Sequence, residues 1–107
     1  MFEVSELELL LLQVLDSGGS SHPYQIGKDI EARAGRRVVS LGAVYRALHR
    51  LEGKGLVSSA WEDIDPSASG RPRRRVYALS LRGGTVLSAE QRTRSALQLP
   101  LTKGFAQ

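Results

Sequence analysis

Apolar residues recur at helical spacing in three stretches of this chain, and two short stretches further on have the alternation of strands. Leu7, Leu10, Leu11 and Val14 follow an i, i+3, i+4, i+7 pattern and predict an amphipathic first helix. Ser5, with Glu8 three residues later, forms a capping box at its start, and Gly18-Gly19 stops it after Ser17. Leu9, Leu12 and Leu15 add apolar surface outside that stripe, so this helix is expected to be covered on a second side, by a partner subunit. Ser20 or Ser21, ahead of His22-Pro23, opens a second helix with Tyr24, Ile26, Ile30 and Ala34 inward and Gly35 as its stop. Arg36-Arg37-Val38-Val39 reads as the turn that follows.

Ser40 then caps a third helix that ends between Gly53 and Gly55. Its two sides differ in kind. Leu41, Val44, Leu48 and Leu51 make an apolar side, while Ala43, Arg46, Ala47, Arg50 and Lys54 make a cationic one with little bulk between the charges. A helix that docks by one face and offers an uncrowded basic face outward suits the major groove of DNA. Residues 56–62 and 75–80 read as two strands joined by the polar stretch 63–74. Val57, Ser59 and Trp61 share a face of the first strand; Val76, Ala78 and Ser80 share a face of the second, with Tyr77 and Leu79 opposite. A final helix starts at Ser80, is interrupted at Gly83-Gly84 and ends before Pro100, with Val86, Leu87, Ala89, Thr93, Ala96 and Leu97 as an irregular apolar side. The pattern is that of a mainly α chain with a small two-stranded β wing, an α+β winged helix-turn-helix. It divides into residues 1–82 as the DNA-binding domain, 83–99 as a dimerisation helix continuous with it, and 100–107 as a flexible tail.

Charge sharpens this picture. The net charge of +4 is the sum of unlike halves: residues 1–35 carry −4 and residues 36–107 carry +8. A basic C-terminal portion is suited to phosphate. Its densest point is Gly70-Arg71-Pro72-Arg73-Arg74-Arg75, four arginines in five residues stiffened by a proline, a tip that fits the enhanced negative potential of a narrow minor groove. Glu62, Asp63 and Asp65 at the other side of that loop are expected to pair with these arginines or to hold the wing base off the backbone. The 107 residues suffice for one domain with a modest core. They hold no cysteine, no apolar run of membrane-spanning length and no cationic leader, so a cytoplasmic protein without disulfides or membrane contact is expected. His22 and His49 have no third ligand at a recognisable spacing, no His–acid pair or phosphate loop suggests an enzyme, and neither metal nor cofactor is expected.

The order and spacing of these pieces resemble the PadR family of bacterial transcriptional regulators. The matching residues are His22-Pro23-Tyr24-Gln25-Ile26, the run from Gly42 through Tyr45, Leu48 and Leu51 to Val57, and Gly70 to Arg74 followed by Tyr77-Ala78-Leu79-Ser80. The resemblance covers roughly residues 6–90. Pro23 stands where the family commonly has glycine, and Leu79-Ser80 stands for its usual Leu-Thr. The resemblance implies a homodimer held by the first and last helices, of the small type with one C-terminal helix, commonly a repressor.

Particular residues then acquire expected roles. Ser40, Ala43, Tyr45, Arg46, Arg50, Arg71, Arg73, Arg74 and Arg75 are the candidate contacts to double-stranded DNA, with Tyr45 giving its hydroxyl to a phosphate and Arg46 or Arg50 reading guanine. Leu9, Leu12, Val86, Leu87, Thr93 and Leu97 are the candidate dimer interface. Trp61 is expected to pack against the sheet or last helix rather than to stack on an effector. A small-molecule effector is left open and unspecified. Two-fold symmetry implies a near-palindromic operator. Two other readings share the same features: a winged-helix module that binds an acidic protein, and a nonspecific nucleic-acid-binding protein.

Overall fold

In a computed structural model, the backbone of residues 3–35 and 40–106 and the side chains of these up to residue 97 are described. The turn expected over 36–39 lies outside the described residues. The elements run α1 (Glu6–Gly18), α2 (Pro23–Ala34), α3 (Leu41–Gly53), β1 (Val57–Trp61), α4 (Pro66–Ser69), β2 (Arg75–Leu79) and α5 (Leu81–Ala106). The three N-terminal helices pack on one another, and β1 pairs antiparallel with β2 in the register Val57 to Leu79, Ser59 to Tyr77 and Trp61 to Arg75. Ser21 adds a bridge to Tyr77 on the far edge of β2, exchanging both backbone hydrogen bonds at 3.0 and 2.8 Å. This is a winged helix-turn-helix, mainly helical with a two-stranded wing.

The capping box forms as the sequence requires. The Glu8 N–H donates to Ser5 Oγ at 3.1 Å and the Ser5 N–H donates to Glu8 Oε1 at 2.9 Å. α1 is then the hub of the core. Leu9, Leu11, Leu12, Val14 and Leu15 are all buried within this one chain, because α2, α3, β2 and α5 all pack against α1. The second cover for α1 is therefore the chain's own C-terminal half. Leu9 and Leu12, expected at the dimer interface, are enclosed in the subunit core, and so is Leu87.

α5 departs further from the sequence pattern. It continues through Gly83-Gly84 and past Pro100 to Ala106. Gly83 is explained by proximity, not by a break: a Cβ built on it would lie 2.0 Å from the Leu56 carbonyl oxygen and 2.8 Å from Leu79 Cδ1. Only a residue without a side chain lets α5 approach the α3–β1 junction that closely. Ser80 caps this helix as read, accepting from the Gly83 N–H at 2.9 Å while its own hydroxyl donates to the Gly55 carbonyl at 2.7 Å. Pro100 removes one backbone donor from the ladder, and the helix carries on beyond it.

Two further inward expectations are overturned on α2. Ile26 and Ile30 are fully buried, but Tyr24 is 58% exposed and Ala34 is also outward. Tyr24 sits on the outward side of the first turn, and its ring lies 4.8 Å from the Lys28 ammonium, an exposed cation–π pair. Among the described residues no helix is long and apolar enough to cross a membrane.

Candidate nucleic-acid interface

α3 has the segregation expected of a recognition helix, with one residue exchanged at the edge of its buried side. Val44, Ala47, Leu48 and Leu51 form its buried side, and Leu41 is nearly half exposed. α1, α2 and β1 all pack on α3. That wide arc takes in Ala47, which the sequence pattern set on the cationic side, and leaves Leu41 outside. The outward side is Gly42, Tyr45, Arg46, His49 and Arg50, with Ala43 at its border. Ser40 Oγ accepts from the Ala43 N–H at 3.1 Å, fixing the first turn.

The two arginines of this face are held differently. Arg46 lies back over the first turn, so that a Cβ at Gly42 would come within 3.3 Å of its Nη1. Gly42 thus leaves room for the guanidinium alongside the backbone. Arg50 is drawn sideways: its Nε lies 3.7 Å from Glu8 Oε2, and the same oxygen accepts from Lys54 Nζ at 2.9 Å. Lys54 also donates to the Glu3 carbonyl at 2.8 Å. Glu8 is 3% exposed. Burial pushes its carboxyl up, but the Ser5 N–H and the Lys54 ammonium outweigh that, and its pKa lies below the ordinary 4.5. Lys54, expected on the DNA-facing side, is instead a tether from α3 to α1.

Tyr45, 49% exposed, stands beside Arg46, His49, Arg50 and Tyr77 around an open cleft of about 510 Å³, where α3 meets the sheet. Burial holds the Tyr77 phenol above its usual value, and the Glu52 carboxylate adds to this, so the hydroxyl stays protonated. His49 was weighed in the sequence only as a metal ligand. Its spacing of four from Tyr45 and three from Arg46 was the signal that places it on this face. Among the described residues no group of three metal-ligating side chains comes together.

The wing is more ordered than an arginine-rich loop suggests. Asp65 Oδ1 accepts from the Ser67 N–H at 3.0 Å to start the short α4, and Gly70 ends it in the left-handed region at φ 72°. Each arginine has a partner inside the chain. Arg71 forks onto Glu62, with Nη1–Oε1 at 2.7 Å and Nη2–Oε2 at 3.0 Å. Arg73 Nε donates to the Ile64 carbonyl at 2.9 Å. Arg74 Nη1 lies 3.3 Å from His22 Nε2. Arg75 Nε donates to Ser59 Oγ at 3.0 Å, and its guanidinium stacks 5.3 Å from the Trp61 ring. Burial and the Arg74 charge keep the His22 pKa below 6.5, so the imidazole is a neutral acceptor for Arg74. Trp61 is 61% exposed, its contact being the Arg75 guanidinium of the paired strand rather than a buried place against the sheet. At the end of β1 it lies opposite Arg75.

A family comparison decides what this arrangement belongs to. A model of the transcriptional regulator PadR-like family matches residues 11–89. The chain belongs to that family. PadR-like regulators are DNA-binding proteins rather than enzymes, which agrees with a basic helix face beside a wing and with no catalytic constellation being expected. This PadR-like chain is similar in structure to a PadR family transcription regulator from Clostridium difficile, at 23% identity and TM-score 0.76, covering 94% of this chain and 99% of that one. A PadR-like transcriptional regulator from Bacillus cereus aligns at 17% identity and TM-score 0.74, over 92% of this chain and 90% of that one. A PadR family regulator from Eggerthella lenta aligns at 23% identity and TM-score 0.69, over 94% and 86%. At these identities the likeness is one of fold. No curated protein matches the chain.

Proposed function

We propose that this PadR-like regulator is a dimeric repressor that binds a near-palindromic operator, each subunit placing α3 in a major groove and the wing beside it. The observation that carries this reading is the outward face of α3, where Tyr45, Arg46 and His49 stand exposed next to the wing sheet. Arg46 is the candidate base reader, since a guanidinium matches the O6 and N7 of guanine in a two-bond fork. Tyr45, the Ser40 helix start, Arg73 and Arg74 are the candidate phosphate contacts. Arg50, Arg71 and Arg75 have weaker claims because Glu8, Glu62 and the Ser59–Trp61 pair engage them. Dimerisation would run through α5, where Leu97 is 67% exposed and Thr93 lies one turn before it on the surface. Half-sites would then fall about one helical turn apart.

The test is binding to the duplex upstream of the regulator's own gene against a scrambled duplex at two salt concentrations. A specific repressor prefers the upstream duplex by about a hundredfold or more, in the range of specific over nonspecific binding, and keeps that preference as salt rises. Equal binding to both that salt abolishes would leave a nonspecific nucleic-acid-binding protein. No salt-sensitive duplex binding at all would favour a protein-interaction module.

A further inference from the structure

Residues 62–75 carry four arginines against three carboxylates, a net charge of only +1. Charge alone would make this a poor phosphate contact, so which cations face outward matters more than how many there are. Glu62 accepts from the chain on the far side of the loop at three points. The Arg71 fork occupies both of its oxygens at 2.7 and 3.0 Å, and the Arg74 N–H donates to Oε1 at 2.8 Å. Its own N–H donates to the Arg74 carbonyl at 2.9 Å. One residue therefore closes the hairpin above Trp61 and Arg75. Arg71 Nη1 also reaches the Pro72 carbonyl at 3.1 Å, tying the fork to the backbone just before Arg73. Arg73 and Arg74 each use one N–H inside the chain, leaving further donors of a five-donor guanidinium for a ligand.

We propose that Glu62 is the positioning residue of the wing: it makes Arg71 an internal strut and thereby sets where Arg73 and Arg74 meet the DNA backbone. This rests on the wing contacting DNA, as proposed above. The Arg71 guanidinium holds the Glu62 carboxyl at about 2, well below the ordinary 4.5, so the strut stays ionised across the physiological range.

The sign of one substitution separates this role from its rival. A carboxylate beside phosphates repels them, so if Glu62 acts only through its charge, Glu62→Gln tightens DNA binding. If it positions the wing, Glu62→Gln weakens binding despite losing a negative charge. The experiment measures affinity for the upstream duplex of the full-length parent, Glu62→Gln, Arg71→Lys, the Arg73→Ala/Arg74→Ala pair, and Glu62→Gln within that pair. Thermal unfolding of each variant accompanies it. Glu62→Gln is expected to weaken binding about tenfold, within the coupling seen for groups sharing one network. Arg71→Lys keeps the charge and loses the fork, and a loss of similar size is expected. Within the arginine pair, Glu62→Gln should change nothing further. Equal or tighter binding by Glu62→Gln, with the arginine pair still weak, overturns the positioning role alone. Parent-like binding by the arginine pair overturns the wing reading itself, and the inference with it.

Discussion

Two glutamates hold the two halves of the proposed reading surface, and they do so at different depths. Glu8, from α1, is buried and gathers Lys54 and Arg50 from the recognition helix. Glu62, at the base of the wing, lies near the surface and gathers Arg71 and the Arg74 backbone. The chemistry is the same, a carboxylate shared between cations and N–H donors. The solvent is not. Removing the partners of a fully buried carboxylate leaves charge stranded away from water, whereas one that still reaches solvent is more readily rehydrated. Glu8 should therefore govern whether the domain stays folded, and Glu62 how the folded domain meets its ligand.

The largest effect expected from this contrast is on Glu8. Glu8→Ala removes the capping box and leaves Lys54 without its carboxylate, and should cost about 3 kcal/mol of folding stability. Urea unfolding monitored by helical circular dichroism measures this. If Glu8→Ala moved the transition no more than Glu62→Gln does, the contrast between the buried and the half-buried cluster would collapse.

Arg46→Ala comes next. It touches neither cluster, so stability should be unchanged while operator affinity falls by about 1–3 kcal/mol with relaxed choice at one base pair. Competition against single-base operator variants reads this directly. A uniform loss across all variants would make Arg46 a phosphate contact instead.

The smallest effect is acid titration. Both carboxylates sit below the ordinary 4.5 in the folded chain, Glu62 at about 2. A depressed folded pKa means the unfolded chain binds the proton more readily, so each contributes stability above pH 4.5 that is lost as pH falls through the folded value. Carboxyl-carbon NMR titration should show Glu62 still ionised at pH 3. A midpoint near 4.5 would remove the Arg71 fork from solution.

How much of this was legible beforehand differs from residue to residue. The caps at Ser5, Ser40 and Ser80 were readable because each depends on a hydroxyl and an N–H three residues away, a relation written in the chain itself. The strands and the outward Arg46 followed from periodicity. Ala47 and Leu41 were misplaced because periodicity gives a face and not its width, and the width is set by how many neighbours pack on it. Gly83-Gly84 looked like a break because glycine weakens a helix in isolation; the role of Gly83 is visible only once the Leu56 carbonyl is brought against it. Leu9 and Leu12 looked like spare apolar surface because two of the elements that pack on α1, β2 and α5, come much later in the chain.

The arginine wing makes the same division most plainly. Its composition determined that a cationic, proline-stiffened tip follows the recognition helix, and the family motifs around it determined the fold. Which of the four arginines point into the chain was decided only by tertiary structure. Partners such as Glu62 for Arg71 and His22 for Arg74 lie 9 and 52 residues away, and a pairing at that distance depends on the path of the backbone between them. Helix starts and faces are local consequences of residue type, whereas the availability of a charge depends on what the fold sets beside it.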